Sequence, residues 1–322
     1  MIVVSPPKPA AVPPGVWGLI AGVVVLWGLV ASVEVLTLRA LSPLPFSAWT
    51  TIAGAIGTFV FLAARGRTHE LLRYSPRDHG KLAVISLLGF GLYFFLKYTA
   101  YSTSPVAEAS VLQSTYMVFI ALFAIPILGQ KASAGKITAI LVGFAGAALI
   151  ISGGSFSGFH AVHLPGYLCA LGAGVSFGLF SNLSEKAGYD HMTALFYYHA
   201  YSALFLVAVL GFRGEFAFPS TGWEIAGILY NGPAANVLGI FLWLRAQRSV
   251  KDVSLLTAAL YLVPFLALVS FAVFLHISIP LHALQGLLLI VGGMAIHTIR
   301  VRRRTAAVRV NRHSFSPPTS EP

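Results

Sequence analysis

Apolar stretches of about twenty residues follow one another along nearly the whole chain, and a helix needs about that length to cross the hydrocarbon core of a membrane. The first runs from Val16 to Leu38 and holds a single charged residue, Glu34. Of the 322 residues, 57% are hydrophobic and only 10% are Asp, Glu, Lys or Arg. A soluble domain carries about 25% charged residues, so this chain has too little polar surface to fold in water. Inside lipid no water satisfies backbone N–H and C=O groups, so each apolar run must be a helix. The sequence therefore defines an all-α integral membrane protein.

Ten spans fit the pattern, at 16–38, 44–64, 81–102, 106–128, 134–152, 165–184, 193–211, 223–244, 253–275 and 280–299. Ser42-Pro43-Leu44-Pro45, Ser75-Pro76, Gly153-Gly154, Phe218-Pro219 and Ile279-Pro280 punctuate them, as helix starts and stops require. The first run exceeds the apolar region of a signal peptide and lacks a small-residue cleavage site, so it reads as a span. Cationic residues in short loops mark the cytoplasmic side. With the N-terminus inside, 18 of the 21 Lys and Arg fall on inner segments, leaving only Arg39, Lys97 and Arg213 outside. Both termini are thus expected to be cytoplasmic. The net charge of +11 follows from this asymmetry, and no nucleic-acid partner is expected. Residues 1–15, rich in Pro, and the basic stretch 301–322 read as disordered tails; the Arg300–Arg304 cluster is a topology signal or an anionic-lipid contact.

An internal repeat underlies the ten spans. Shifted by 146 residues, Ala100, Phe119, Ala121, Leu122, Leu141, Gly146 and Ile150 meet Ala246, Phe265, Ala267, Leu268, Leu287, Gly292 and Ile296. Near the start of each half an offset of 150 brings Trp17, Gly22, Val25, Trp27 and Gly28 onto Tyr167, Gly172, Val175, Phe177 and Gly178. Residues 16–152 and 165–300 then form two five-helix halves. Five is odd, so the second half enters from the opposite side. Inverted repeats of this kind give a membrane protein two exchangeable conformations around a site near the midplane.

At this point the sequence resembles the drug/metabolite transporter superfamily, and its ten-helix EamA-type members in particular. The segment Leu96-Lys-Tyr-Thr-Ala-Tyr-Ser through Val106-Ala, then Ser114-Thr-Tyr-Met-Val-Phe-Ile-Ala-Leu, is similar to the family's third and fourth helices. Leu244-Arg-Ala through Val253-Ser, then Leu260-Tyr-Leu-Val-Pro-Phe, is similar to the eighth and ninth. The pair Trp27-Gly28 matches a common first-helix feature. The family usually ends its fourth and ninth helices with a Gly-Glu-like pair; here those places read Gly129-Gln130 and Leu275-His276, so no role of that Glu transfers. The resemblance implies a secondary transporter or exporter of small polar or amphipathic metabolites, in a bacterial inner membrane. It also implies a central cavity between the halves, with the last helix of each half at the periphery.

Polar groups inside spans are costly and default to functional candidates. Asn231 and Asn236 flank Gly232-Pro233 near the middle of the eighth span, where a missing donor frees carbonyls. Tyr198 and His199 lie at mid-depth in the seventh span, with His199 a candidate proton carrier. Trp27, Tyr93, Tyr116, Phe177 and Tyr261 complete a candidate substrate set suited to an amphipathic or aromatic compound. For each of these, ordinary packing is the competing reading. Glu34, Lys97 and Glu108 approach one level near the outer interface and form a candidate outer gate or coupling set. Glu185, Arg245 and Asp252 form the corresponding inner set, with interfacial snorkelling as the alternative.

Other patterns are weaker. His160 and His163 have a ligand spacing but no third ligand nearby. The single cysteine, Cys169, excludes an internal disulfide framework. No Gly-rich loop ending in Lys-Ser or Lys-Thr is present, so neither ATP nor any other cofactor is expected. The expected partners are a small-molecule substrate, the bilayer and protons as candidate coupling ion, with monomer and homodimer both open. Lys and Arg are absent from the midplane, which favours neutral or zwitterionic cargo such as amino acids over an organic-anion or nucleotide-sugar carrier. A non-transporting scaffold or sensor is the alternative of another class; an enzyme is not expected, because the carboxylates do not converge.

Overall fold

The computed structural model describes residues 14–154, 161–249 and 259–295. Eight helices are long and apolar enough to cross a membrane. They are α1 (Pro14–Leu38), α2 (Pro43–Ala64), α3 (Pro76–Thr103), α4 (Val106–Leu128), α5 (Ala134–Ile151), α6 (Leu164–Ala187), α7 (His191–Arg213) and α8 (Gly222–Arg248). Two shorter apolar helices follow, α9 (Val263–Phe274) and α10 (Leu281–Ala295). No strand occurs among the described residues. Of the expected tails, 1–13 and 301–322 lie outside the described residues. So do His160, and 253–258 and 296–299 of the last two spans.

The helix starts follow from local chemistry. Ser75 caps α3 in a capping box with Asp78, and Thr221 caps α8 in the same way with Glu224. Such a box satisfies two orphan N–H groups at once. It also explains why α3 starts at Pro76, five residues before the span expected from hydropathy. Gly66 and Gly214 close α2 and α7 in left-handed geometry, and Gly129 and His276 do so after α4 and α9. Each of these two pairs occupies corresponding positions of the two halves.

Both α3 and α8 contain a π-helical segment, at Leu87–Leu92 and Tyr230–Leu238. Pro233 accounts for the second, because it removes one donor and crowds the preceding turn. The helix widens there rather than breaking. Helix α4 turns at Ser114 and Thr115, and a matching turn at Tyr261 and Leu262 precedes α9.

The helices pack in exchanged pairs. Helix α1 runs beside α9, with Gly28 against Leu266 and the Ser32 and Ser270 hydroxyls 2.6 Å apart. Helix α6 runs beside α4 in the same manner, with Gly178 against Phe119 and the Asn182 amide donating to the Ile120 carbonyl at 3.1 Å. Helix α1 also crosses α8, as α6 crosses α3. Helices α2 and α7 pack antiparallel on each other. Trp49 Nε1 of α2 donates to the Ala217 carbonyl beyond α7 at 2.9 Å, and the Tyr197 hydroxyl of α7 donates to the Leu71 carbonyl beyond α2 at 2.5 Å. Helices α5 and α10 meet through Gly146, Gly286 and Gly293. The face where α1 begins is called near below, and the opposite one far.

At the α2–α7 crossing the His199 ring lies directly over Gly54, where an added Cβ would overlap the ring at Cδ2. Gly54→Ala is therefore expected to destabilise the protein by ~1–3 kcal/mol through overpacking. Thermal unfolding in detergent checks this, and the penalty should shrink in a His199→Ala background, where the clashing ring is gone.

Candidate functional site

Three aromatic side chains from three helices converge where the halves meet. The Phe177 ring of α6 lies 4.9 Å from Tyr93 of α3 and 5.2 Å from Tyr116 of α4. Gln113 Nε2 donates to the Tyr93 hydroxyl at 3.0 Å and fixes its direction. Tyr261, before α9, is close enough to Tyr116 for the two to interact. On α1, Trp27 packs 6.4 Å from Trp243 of α8.

The two π-helical segments feed this region. A π turn leaves a carbonyl without its usual intrahelical donor. The Ala235 carbonyl accepts from Trp27 Nε1 at 2.9 Å, and the Leu88 carbonyl, which takes the Tyr93 N–H in the widened turn, accepts also from Ser176 Oγ at 2.7 Å. Side chains of α1 and α6 thus read the irregular turns of α8 and α3 in turn. One difference between the halves shapes this region. Tyr93 stands against Phe177, whereas its counterpart Gly239 stands against Trp27, 2.6 Å from Nε1 if it carried a Cβ. Only glycine leaves room there for the indole.

Four other candidate residues sit apart from this group. Tyr198 is buried, packs on Phe90 and Phe180, and shares a hydrogen bond with Ser184 at 2.9 Å. Phe180 stands between it and Phe177. His199 is wholly buried, with Nδ1 3.0 Å from the Leu195 carbonyl. Because a carbonyl only accepts, Nδ1 carries the proton, and Nε2 is left with no partner. Asn231 Nδ2 donates to the Gly227 carbonyl at 3.0 Å and Asn236 Nδ2 to the Asn231 carbonyl at 2.6 Å. Both amides bond to carbonyls of their own helix, at and just before the widened segment, which is a backbone duty.

The charged candidates divide. Lys97 Nζ lies 2.5 Å from Glu34 Oε1, and both side chains are buried. The ammonium also sits 5.0 Å from the ring centres of Tyr93, Phe94 and Tyr98, a cation–π cage. Glu34 Oε2 and the Tyr98 and Thr50 hydroxyls complete no hydrogen bond, although Tyr98 lies beside the other two. Glu108 does not join this pair. It accepts from the Tyr167 hydroxyl and lies 2.9 Å from His282 Nε2. Glu185 and Arg245 are exposed, and Asp252 lies outside the described residues.

The near face carries a cross-half cluster that hydropathy did not reveal. Arg67 bridges Glu70 at 2.6 Å and Asp190 at 3.1 Å, the Tyr74 hydroxyl meets Thr193, and Tyr189 donates to Asp78. Burial pushes the Asp190 carboxyl up, but the Thr193 N–H and Arg67 outweigh it and hold the group below its usual 3.8. The contributing residues are far apart in sequence and belong to ordinary helix ends, so only the fold brings them together.

An all-helical bundle with a polar and aromatic centre between two similarly packed halves defines a membrane transporter, not an enzyme. The chain matches the EamA-like transporter family over residues 15–152 and 164–299, and it belongs to that family. It is 27% identical to the uncharacterized transporter YvbV of Bacillus subtilis, over 84% of this chain and 87% of that one. It is 28% identical to the aromatic amino acid exporter YddG of Ancylobacter novellus, over 82% of this chain and 90% of that one. A crystal structure with 22% identity and a TM-score of 0.64 covers 90% of this chain and 98% of its own, and shares the fold. The protein is thus an integral membrane protein of the bacterial inner membrane.

Removing one partner of a buried ion pair leaves an uncompensated charge, at a cost of roughly 3–5 kcal/mol. Lys97→Met should therefore lower the melting temperature sharply. The double variant Glu34→Gln/Lys97→Met should regain most of the loss, and comparing the three unfolding curves checks both expectations.

Proposed function

We propose that the protein is a secondary active transporter that exports small amphipathic metabolites, with amino acids as the leading class. It works by alternating access around the aromatic group at the midplane. Residues 16–152 and 165–300 act as two inverted five-helix repeats, giving ten spans with both termini in the cytoplasm. The near face is then cytoplasmic and the far face external. The observation that carries this reading is the exchanged packing, in which α1 meets α9 and α8 as α6 meets α4 and α3. Such an arrangement has two equivalent ways to close, one at each face.

Trp27, Tyr93, Tyr116, Phe177 and Tyr261 contribute the substrate surface. The exchange of Tyr93 for Gly239 across the pseudo-symmetry makes that surface lopsided, with the Trp27 indole seated on Gly239 where the other half has a tyrosine. A flat apolar side chain fits against Trp27 and Phe177, while Gln113 and the Tyr93 hydroxyl offer polar contacts for a zwitterionic end. The name of the Ancylobacter novellus relative, an aromatic amino acid exporter, supports the same cargo class here. Tyr198, His199, Asn231 and Asn236 support the helices that carry this surface. Glu34 with Lys97 is the proposed coupling pair, with protons as the coupling ion. Glu185, Arg245 and Asp252 remain a proposed inner set.

Counterflow of labelled amino acids in proteoliposomes tests the proposal. Aromatic amino acids should exchange, and Trp27→Ala should cut the rate at least tenfold with the protein still folded. Trp27→Phe, which keeps a ring but cannot donate to Ala235, should fall in between. Absence of counterflow with every amino acid would sink the cargo assignment.

A further inference from the structure

We propose that Glu108, Tyr167 and His282 form a latch on the external face that protonation of His282 tightens. The inference rests on the transport reading for its consequence, but its geometry stands alone. Glu108 lies in the first turn of α4, Tyr167 in the first turn of α6, and His282 at the start of α10. The carboxylate accepts from the Tyr167 hydroxyl with one oxygen and meets His282 Nε2 with the other, at 2.9 Å. One side chain of the first half is thereby held by two side chains of the second. Just beside it, Gly166 of α6 packs against Ser104 and Thr103 at the end of α3, so the halves are in close contact at this level.

The groups that face the latch come from the surrounding helices. Helix α4 contributes Glu108. Helix α6 contributes Tyr167, with the His163 ring 6.0 Å from it. The end of α3 contributes Thr103 and Ser104, and the end of α5 contributes Gly154 against His282 Cβ, none of them titratable. His276, after α9, is exposed. Among the described residues no Lys or Arg pairs with Glu108. The Glu108 side chain is 10% exposed and that of His282 is 20% exposed. The histidine can therefore exchange a proton with the external solution, while the carboxylate it holds stays largely buried. Histidine changes charge between about pH 5 and pH 8. A charged imidazole makes a charge-assisted bond to the carboxylate, which is roughly twice as strong as a bond between neutral groups.

Among the described residues the latch has no copy at the cytoplasmic face. The repeat aligns His282 with Lys136 and Tyr167 with Trp17. Lys136 Nζ instead donates to Gln130 within its own connection at 2.7 Å, and Trp17 is 46% exposed. Neither reproduces the arrangement at the cytoplasmic face. External acid therefore holds the external face shut, through a contact that the described residues do not repeat at the cytoplasmic face. In an exporter this slows release as the outside becomes acidic.

Accessibility of the aromatic centre from outside tests this without requiring transport. Tyr116→Cys in a Cys169→Ala background is labelled in right-side-out vesicles by a membrane-impermeant maleimide at about pH 8 and about pH 5.5, either side of the histidine range. The same is done with His282→Gln and with Glu108→Gln added. Dividing the variant rate by the parent rate at each pH removes the thiol's own titration. The ratio should lie near one at the higher pH and rise to about tenfold at the lower, the size expected for an ordinary charge-assisted bond. Tyr167→Phe should raise labelling at both pH values. A ratio that is equal at the two pH values for both variants would overturn the latch. The expected ratios in protein that moves no amino acid would keep the latch and sink the transport reading instead.

Discussion

Within hydrocarbon, pressing apolar helices together removes no water, so close approach of backbones has to hold the bundle. Four crossings between the halves show this. Gly28 admits Leu266, Gly178 admits Phe119, Gly232 rests on the Gly54 N–H and the Thr50 carbonyl, and Gly286 meets the Gly146 carbonyl. At these places an added Cβ would overlap a neighbour. Contacts of this kind are short-range, and the polar bonds beside them are single ones, such as Ser32 with Ser270 and Asn182 with the Ile120 carbonyl. They allow a pair of helices to slide or rock without leaving unsatisfied groups behind, which is what a transporter asks of its moving parts.

Polar bonds are therefore few, and each has a local effect. The π-helical segments of α3 and α8 each offer a carbonyl as an attachment point, used by Ser176 and Trp27 respectively. Asn231 and Asn236 keep the second segment helical in spite of Pro233. The Glu34–Lys97 pair costs desolvation that its mutual attraction and the three surrounding rings offset in part. Glu34 Oε2 stays unpartnered beside the hydroxyls of Tyr98 and Thr50. Such incomplete networks are retained where a conformational or protonation change uses them, and the coupling role proposed for Glu34 draws on this point.

Much of the architecture was legible in the sequence. Apolar length located α1, α2, α4 and α5 to within two or three residues, because the hydrocarbon dictates span length and little else competes. It placed the start of α3 too late, since the first turn of that helix, Pro76 to Gly80, is polar and held by the Ser75–Asp78 cap rather than by hydropathy. The Gly-Pro signal in α8 was visible, but the matching π segment at Leu87–Leu92 was not. It contains no Pro, and its two glycines are common in membrane helices. Among site residues, convergence of Tyr93, Tyr116 and Phe177 followed from their shared depth. Depth alone could not separate them from Tyr198 and His199, which pack on Phe90, with Phe180 between Tyr198 and Phe177. Likewise, level and charge grouped Glu108 with Lys97, but the direction of its side chain gave it to Tyr167 and His282, which no spacing links.

Alternating access between the two halves, as proposed, requires that closing one face opens the other. Helices α3 and α8 are the corresponding elements and carry exposed residues at both ends: Arg77 and Arg248 at the near face, Thr103 and Trp223 at the far face. The measurement is a pair of spin-label distance distributions, Arg77 to Arg248 and Thr103 to Trp223, with and without a transported amino acid. The account predicts two populations for each pair that shift in opposite senses, the near distance lengthening as the far one shortens. Distances that stay fixed, or that lengthen and shorten together, would contradict it.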